Sequence, residues 1–238
     1  MSRPETISGK RFCPAPGISI LVMTISDILE QALPGGVPRD YSGKPNQTFR
    51  QEDFFCPIFS DHELETLNRF RALKKQAEWI SGRLALKTLV KEVVRPDLPM
   101  DELTVSYLEM GAPFLTKLPH VPVSLSHSGN LTAVALTQDP GQTLGLDLEK
   151  IGPCPDEGFM KTAFTQKEIR GMGNRAEEIF RSWTLKEAFL KYIQMGFNES
   201  LHRVEVIDGR VFHHGKPQDI HTWSRIIAQE YVLSLIWK

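Results

Sequence analysis

Apolar residues recur at helical spacing in two long segments of the chain. After Phe59, Ser60 and Glu63 stand three residues apart, as a capping box requires. Leu64, Leu67, Phe70, Leu73, Ala77, Ile80 and Leu84 follow at a period near 3.6, which predicts a helical region that continues to Arg95 and ends before Pro96. Gly82 inside it serves either a kink or a close packing contact. The second segment carries Ile179, Phe180, Trp183, Phe189 and Tyr192 or Ile193 on one face, with Asn174 and Glu177 as its predicted cap and Gly196 as its stop. Strands are read elsewhere. Ile18 to Ile25 is an apolar run of buried-strand type, and Val121–Gly129 and Leu144–Glu149 alternate with a period of two. Residues 34–57 are rich in Pro, Gly and polar groups and read as an irregular loop.

The two helical regions resemble each other. Phe59-Ser60-x-x-Glu63-Leu64 matches Phe164-Thr165-x-x-Glu168-Ile169, and each pattern leads to a tryptophan, Trp79 and Trp183, about 20 residues on. Strand-like segments follow both, at Leu103–Leu108 and Leu201–Ile207. The pattern predicts an α+β fold of two pseudo-symmetric α/β halves, residues 1–118 and 119–238, with the active site at their interface, where ligand sites tend to lie. In this register Arg83 takes the position that Glu187 holds in the second half.

Composition narrows the class. The 238 residues carry a formal net charge of −1, which gives no footprint for bulk nucleic-acid binding. The run from Ile18 to Ile25 is too short to span a bilayer, and no signal-peptide pattern precedes it. The three cysteines, Cys13, Cys56 and Cys154, fit neither a pairwise framework nor a metal spacing, so a reducing cytoplasm is expected.

The candidate chemistry lies in the second half. Asp147 and Glu149, two apart on a strand, project from one face and repel unless a cation lies between them. Magnesium binds through a few carboxylates and completes its shell with water and phosphate oxygens. Glu187 supplies a third carboxylate, and Lys191 lies one helical turn beyond it. The plain alternatives are a solvated acidic strand end and a surface Glu–Lys pair contributing about 0.2–0.5 kcal/mol. Ser126-His127-Ser128-Gly129 closes a strand with phosphate donors. A Ser–His nucleophile pair is disfavoured there, because neighbours on a strand point to opposite faces and no Gly-x-Ser-x-Gly turn frames the serine. A purely structural histidine is the other alternative.

Taken in order, Ser126-His127-Ser128-Gly129, Gly145-Leu146-Asp147-Leu148-Glu149, Phe164-Thr165-x-x-Glu168 and Trp183-Thr184-x-Lys186-Glu187-Ala188-x-x-Lys191 resemble the 4′-phosphopantetheinyl transferases, in their larger, surfactin-synthetase-activating form. The resemblance covers roughly residues 59–207 and implies a monomer of two pseudosymmetric halves. It implies transfer of the phosphopantetheine arm of coenzyme A to a serine of an acyl or peptidyl carrier protein, the activity of a holo-[acyl-carrier-protein] synthase. Asp147, Glu149 and Glu187 would hold Mg²⁺, Glu187 would take the serine proton, and Lys191 would stabilise the pyrophosphate. His127 would contact the 3′-phosphate with help from Ser126 and Ser128, and the Gly111-Ala112-Pro113 loop would lie against the nucleotide. Ala112 stands where the family loop usually has lysine, and Thr66 where relatives often carry a basic group. Arg83, Lys75 or their basic neighbours Arg69, Arg71 and Lys74 would compensate. The connector residues Phe159 and Met160 are expected to form an exposed patch for the carrier. Rival readings are a non-catalytic coenzyme A or carrier-binding module and a different Mg²⁺-dependent phosphoryl transferase or hydrolase.

Overall fold

A computed structural model of the protein describes residues 9–32 and 57–238. Almost all of the loop expected at 34–57, together with Cys56, lies outside the described residues. The strands are β1 (Lys10–Phe12), β2 (Ile18–Thr24), β3 (Val105–Tyr107), β4 (Pro113–Leu115), β5 (Val123–Ser128), β6 (Leu131–Thr137), β7 (Leu144–Lys150), β8 (Val204–Ile207), β9 (Arg210–His213), β10 (Lys216–Pro217), β11 (His221–Ile227) and β12 (Tyr231–Trp237). The helices are α1 (Ile25–Ala32), α2 (Asp61–Arg69), α3 (Leu73–Val93), α4 (Glu157–Ala163), α5 (Gln166–Gly171) and α6 (Ala176–Tyr192). The fold is mixed α+β, and no helix among the described residues is long and apolar enough to cross a membrane.

Two antiparallel sheets organise the packing. One has the order β1-β2-β6-β5 and the other β11-β12-β7. Strand alternation sends β2 side chains both ways. Leu21 and Met23 join Val134 and Leu136 in a core with α3, while Ile18, Ile20 and Val22 meet Leu146, Leu148, Leu233 and Leu235 of the other sheet. A strand buried on both faces must be continuously apolar, which explains the run in β2. The second sheet turns its other face to α6. The layers are therefore α3, sheet, sheet, α6.

Local sequence explains most element ends, and corrects three expectations. Ser60 caps α2 and Thr165 caps α5, each with its reciprocal glutamate, Glu63 and Glu168. The helical region after Ser60 is not continuous, since Phe70 and Ala72 are extended between α2 and α3. The Gln76 amide donates to the carbonyls of Leu67, which also accepts from the Phe70 amide, and of Phe70, and so holds the break. Gly82 does not interrupt α3, and a Cβ there would make only ordinary contact with Leu125 and Thr132. Asn174 is not the cap of α6. Arg175 holds that position without a side-chain cap and pairs instead with Glu177 and Glu178. Nor does Gly196 stop α6, which ends at Tyr192 with Gln194 in the left-handed region at φ 57°.

Two buried ion pairs repeat one arrangement. Lys87 Nζ donates to Glu63 Oε2 and to the Ile58 carbonyl, and lies 4.9 Å from the centre of the Phe59 ring. Lys186 Nζ donates to Glu168 and to the Ala163 carbonyl, and lies 5.0 Å from the Phe164 ring. Glu63 also accepts from the Val105 amide and Glu168 from the Val206 amide. Lys87 therefore corresponds in its contacts to Lys186. The register expected from the tryptophans, with Arg83 in the place of Glu187, is displaced by five residues.

Candidate active site

The site is built where β5, β7 and α6 meet. Gly145 on β7 allows the approach, because a Cβ there would lie 2.1 Å from the Ala188 carbonyl oxygen and 2.4 Å from the Tyr192 amide nitrogen. α6 thus lies directly on β7, with Trp183, Glu187 and Lys191 spaced four apart along one face. Asp147 and Glu149 share the β7 face turned toward them.

The serines of β5 complete this cluster. Ser124, Ser126 and Ser128 share one strand face and run alongside β7. Ser124 Oγ accepts from the Leu146 amide and Ser128 Oγ from the Lys150 amide, at 2.9 and 3.0 Å. Ser126 donates to Asp147 Oδ1 at 2.8 Å and Ser128 to Glu149 Oε2 at 2.9 Å. The expectation that Ser126 and Ser128 assist His127 at a phosphate is corrected here, since their hydroxyls orient the two carboxylates.

Lys191 is not half of a surface Glu–Lys pair. Its ammonium donates to Asp147 Oδ1 at 2.8 Å and to the Leu125 carbonyl at 3.3 Å. The Trp183 indole N–H donates to Glu149 Oε1 at 3.3 Å. Two carboxylate oxygens, Asp147 Oδ2 and Glu187 Oε1, are buried with no hydrogen-bond partner among the described residues. Burial, reinforced by Asp147, pushes the Glu187 carboxyl up to about 7 against the opposing pull of Lys191. Glu149 is also raised, chiefly by burial and then by Asp147. Three carboxylates with two orphaned oxygens around one lysine are a donor set suited to a hard divalent cation.

The expected coenzyme A residues fall into two adjoining regions. Gly111, Ala112 and Pro113 line a small cavity of about 140 Å³ together with Lys191, Tyr107 and Gln194. Gly111 sits at φ 87° in the turn that joins β3 to β4, a conformation other residues adopt with strain. His127 points from the opposite face of β5 toward α3, with Nδ1 3.9 Å from Glu78 Oε1. Burial lowers its basicity, with Glu78 pulling the other way. Lys75 donates to the same glutamate at 2.9 Å. Arg83 is almost wholly buried, stacked 3.7 Å from the Trp79 ring, with its Nε 3.8 Å from Glu63 Oε1 and without a hydrogen-bond partner among the described residues. It lines a larger cleft of about 490 Å³ with Thr66, His62 and Tyr107.

Phe159 and Met160 are not an exposed patch. Both are half-buried against Phe164 and Trp183, and the Phe159 ring meets Trp183 edge-on at 5.2 Å. The roles of Trp183 and Glu78 escaped the sequence reading. The four-residue spacing of Trp183 from Glu187 is the signal that could have marked the tryptophan as more than core. Glu78 carried none, because its partner His127 comes from a strand 49 residues away.

Residues 143–236 match the family model described as the 4′-phosphopantetheinyl transferase superfamily. The chain is 29% identical over 160 residues to an L-aminoadipate-semialdehyde dehydrogenase-phosphopantetheinyl transferase of Xenopus laevis, covering 60% of this chain and 52% of that protein. It is 26% identical over 157 residues to the 4′-phosphopantetheinyl transferase psf-1 of Bacillus pumilus, covering 64% and 65%. A phosphopantetheinyl transferase of a Thraustochytrium species is 30% identical over 160 residues, covering 59% and 54%. The chain thus spans about half the length of the first of these relatives. The family's match includes β7 and α6, the elements that carry Asp147, Glu149, Glu187 and Lys191, so the likeness to the 4′-phosphopantetheinyl transferase superfamily runs through the residues of this site.

Proposed function

We propose that the protein transfers the 4′-phosphopantetheine arm of coenzyme A to a serine of an acyl or peptidyl carrier protein, with Mg²⁺ held by Asp147, Glu149 and Glu187. The observation that carries this reading is the pair of orphaned carboxylate oxygens on Asp147 and Glu187 beside the Lys191 ammonium. Bound there, the cation would offset charge on the pyrophosphate. Glu187, with a carboxyl near neutrality, is suited to take the proton of the carrier serine, directly or through water. The serine oxygen then bonds to the β-phosphorus, the phosphoanhydride P–O bond breaks, and 3′,5′-ADP leaves. Lys191 supplies a fixed positive charge for the pyrophosphate oxygens. Ser126, Ser128 and Trp183 hold the carboxylates in place through their hydrogen bonds.

His127, Lys75 and Arg83 are assigned to the nucleotide end of coenzyme A, and Gly111, Ala112 and Pro113 to the wall beside Lys191. The fold is read as two pseudo-symmetric halves with the site between them, supported by the matching contacts of Lys87 and Lys186. The division is best set between Thr137 and Leu144, because a cut after residue 118 separates β5 and β6 from β2, their partner in one sheet. A monomer is the expected state, with no nucleic-acid or membrane partner. The exposed free thiols of Cys13 and Cys154 are in keeping with a cytoplasmic location.

The test is to incubate the protein with coenzyme A, Mg²⁺ and an apo carrier protein and to weigh the carrier intact. A single defined mass gain supports transfer. No gain despite coenzyme A binding would return the protein to a binding module, and consumption of coenzyme A without a carrier would make it a hydrolase.

A further inference from the structure

Beyond the end of α6, a second group of ligand-bearing side chains converges, separate from the carboxylates of the transfer site. Glu199 follows a short 3₁₀ turn at Gly196–Asn198, and His213 and His214 sit where β9 turns into β10. Adjacent residues of a strand ordinarily face opposite ways. Here the hairpin prevents that. His213 pairs with Lys216, so His214 and Gly215 form a two-residue turn with both φ positive, at 51° and 73°. The turn brings both imidazoles to one carboxylate oxygen. His213 Nε2 lies 2.9 Å from Glu199 Oε2 and His214 Nε2 3.4 Å from the same atom.

The carboxylate is itself oriented. Its other oxygen, Oε1, accepts from the Ser200 amide at 2.8 Å and lies 3.5 Å from Arg203 Nη1. That leaves Oε2 turned to the imidazoles, the arrangement in which neighbouring hydrogen bonds orient a metal ligand. Glu199 is buried, whereas the His214 side chain is 53% exposed and gives an entry path. One ligand atom from each residue lies within 4.8 Å of the others, and the two nitrogen–oxygen distances already approach the spacing of neighbouring ligands around a tetrahedral ion with bonds of about 2.0–2.2 Å.

We propose that Glu199, His213 and His214 form a binding site for a borderline divalent transition-metal cation such as Zn²⁺. Two imidazoles and one carboxylate select this class over Mg²⁺ and Ca²⁺, which take oxygen ligands. The cation takes the Nε2 lone pairs of the two imidazoles, neutral with their protons on Nδ1, together with Glu199 Oε2, and ties the segment after α6 to the β9–β10 hairpin. Its fourth position is left to water. Because His213 also packs edge-on against Phe189 of α6 at 5.3 Å, an occupied site braces the end of the helix that carries Lys191.

The test uses the full-length chain without an affinity tag, stripped of metal and held in excess Mg²⁺ so that the transfer site is taken. Titration with Zn²⁺ by calorimetry is expected to show one equivalent bound and a rise in the melting midpoint. Co²⁺ in place of Zn²⁺ should give visible absorption of a low-coordinate nitrogen and oxygen site. His214→Asn keeps the turn, since asparagine suits the left-handed region, and Glu199→Gln keeps an acceptor for the Ser200 amide. Each is expected to weaken Zn²⁺ binding at least tenfold and to abolish the thermal shift. Absence of Zn²⁺ binding by the wild-type chain, or wild-type affinity in both variants, overturns the proposal.

Discussion

At the scale of single residues, the site gathers the carboxylates of Asp147, Glu149 and Glu187 around one ammonium, that of Lys191. Glu187→Gln keeps the shape of the side chain but removes a metal ligand and the proposed base. Turnover is expected to fall roughly a hundredfold or more in the carrier mass assay, and raising the pH should not restore it. The melting midpoint at pH 8 should not fall, because one of three mutually repelling carboxylates has lost its charge. A variant within a few-fold of wild-type activity would remove Glu187 from the mechanism. The raised Glu187 carboxyl also sets a pH dependence. Its folded-state value of about 7 lies above the ordinary 4.5, so the metal-free folded chain holds a proton that the unfolded chain releases earlier. That contribution to stability is complete below about 4.5 and is lost as the pH rises through about 7. Magnesium needs the ionised form, so its affinity should move the opposite way. Calorimetric titration at pH 6 is expected to give binding about tenfold weaker than at pH 8, with proton release visible as a dependence on buffer ionisation heat. Equal affinities at the two pH values would show that Glu187 is not a ligand.

At the scale of elements, the decisive contact is α6 on β7. Gly145→Ala puts a methyl group into the Ala188 carbonyl, so α6 must lift or shift along the strand. A cost of about 1–3 kcal/mol or more is expected in denaturant unfolding, together with loss of transfer, because Glu187 and Lys191 ride on the displaced helix. Full activity and stability in Gly145→Ala would show that this approach does not set the site. Much of this level was legible in the sequence. The capping boxes at Ser60 and Thr165, the buried run of β2 and the shared face of Asp147 and Glu149 all follow from local spacing. What was not legible depends on partners far along the chain. The break at Phe70–Ala72 has no Gly or Pro to announce it and is held by the Gln76 side chain. The β5 serines have the same period as the β7 carboxylates, but only the side-by-side placement of the two strands turns their hydroxyls to Asp147 and Glu149 instead of to a phosphate. The exposed reading of Phe159 failed because an apolar surplus in a connector cannot say whether it covers Trp183 or faces solvent.

At the scale of the whole molecule, two matching buried ion pairs flank one shared core. Ile18, Ile20 and Val22 of one sheet pack against Leu146, Leu148 and Leu235 of the other, so neither sheet can leave without exposing the face of its partner. Lys87 and Lys186 lie on opposite sides of this core, each fully buried against its glutamate. Removing one partner of such a pair leaves an uncompensated charge and typically costs about 3–5 kcal/mol. Lys87→Met and Lys186→Met are therefore expected to destabilise the chain by similar amounts, even though only Lys186 adjoins Glu187. Because the core is shared, each variant should melt in a single transition, with loss of far-ultraviolet helix signal and loss of near-ultraviolet tryptophan signal at the same temperature. Scanning calorimetry and circular dichroism on both variants check this. Two separated transitions, with the half that keeps its ion pair melting later, would show that the halves fold as independent units and that the core between the sheets is a docked interface.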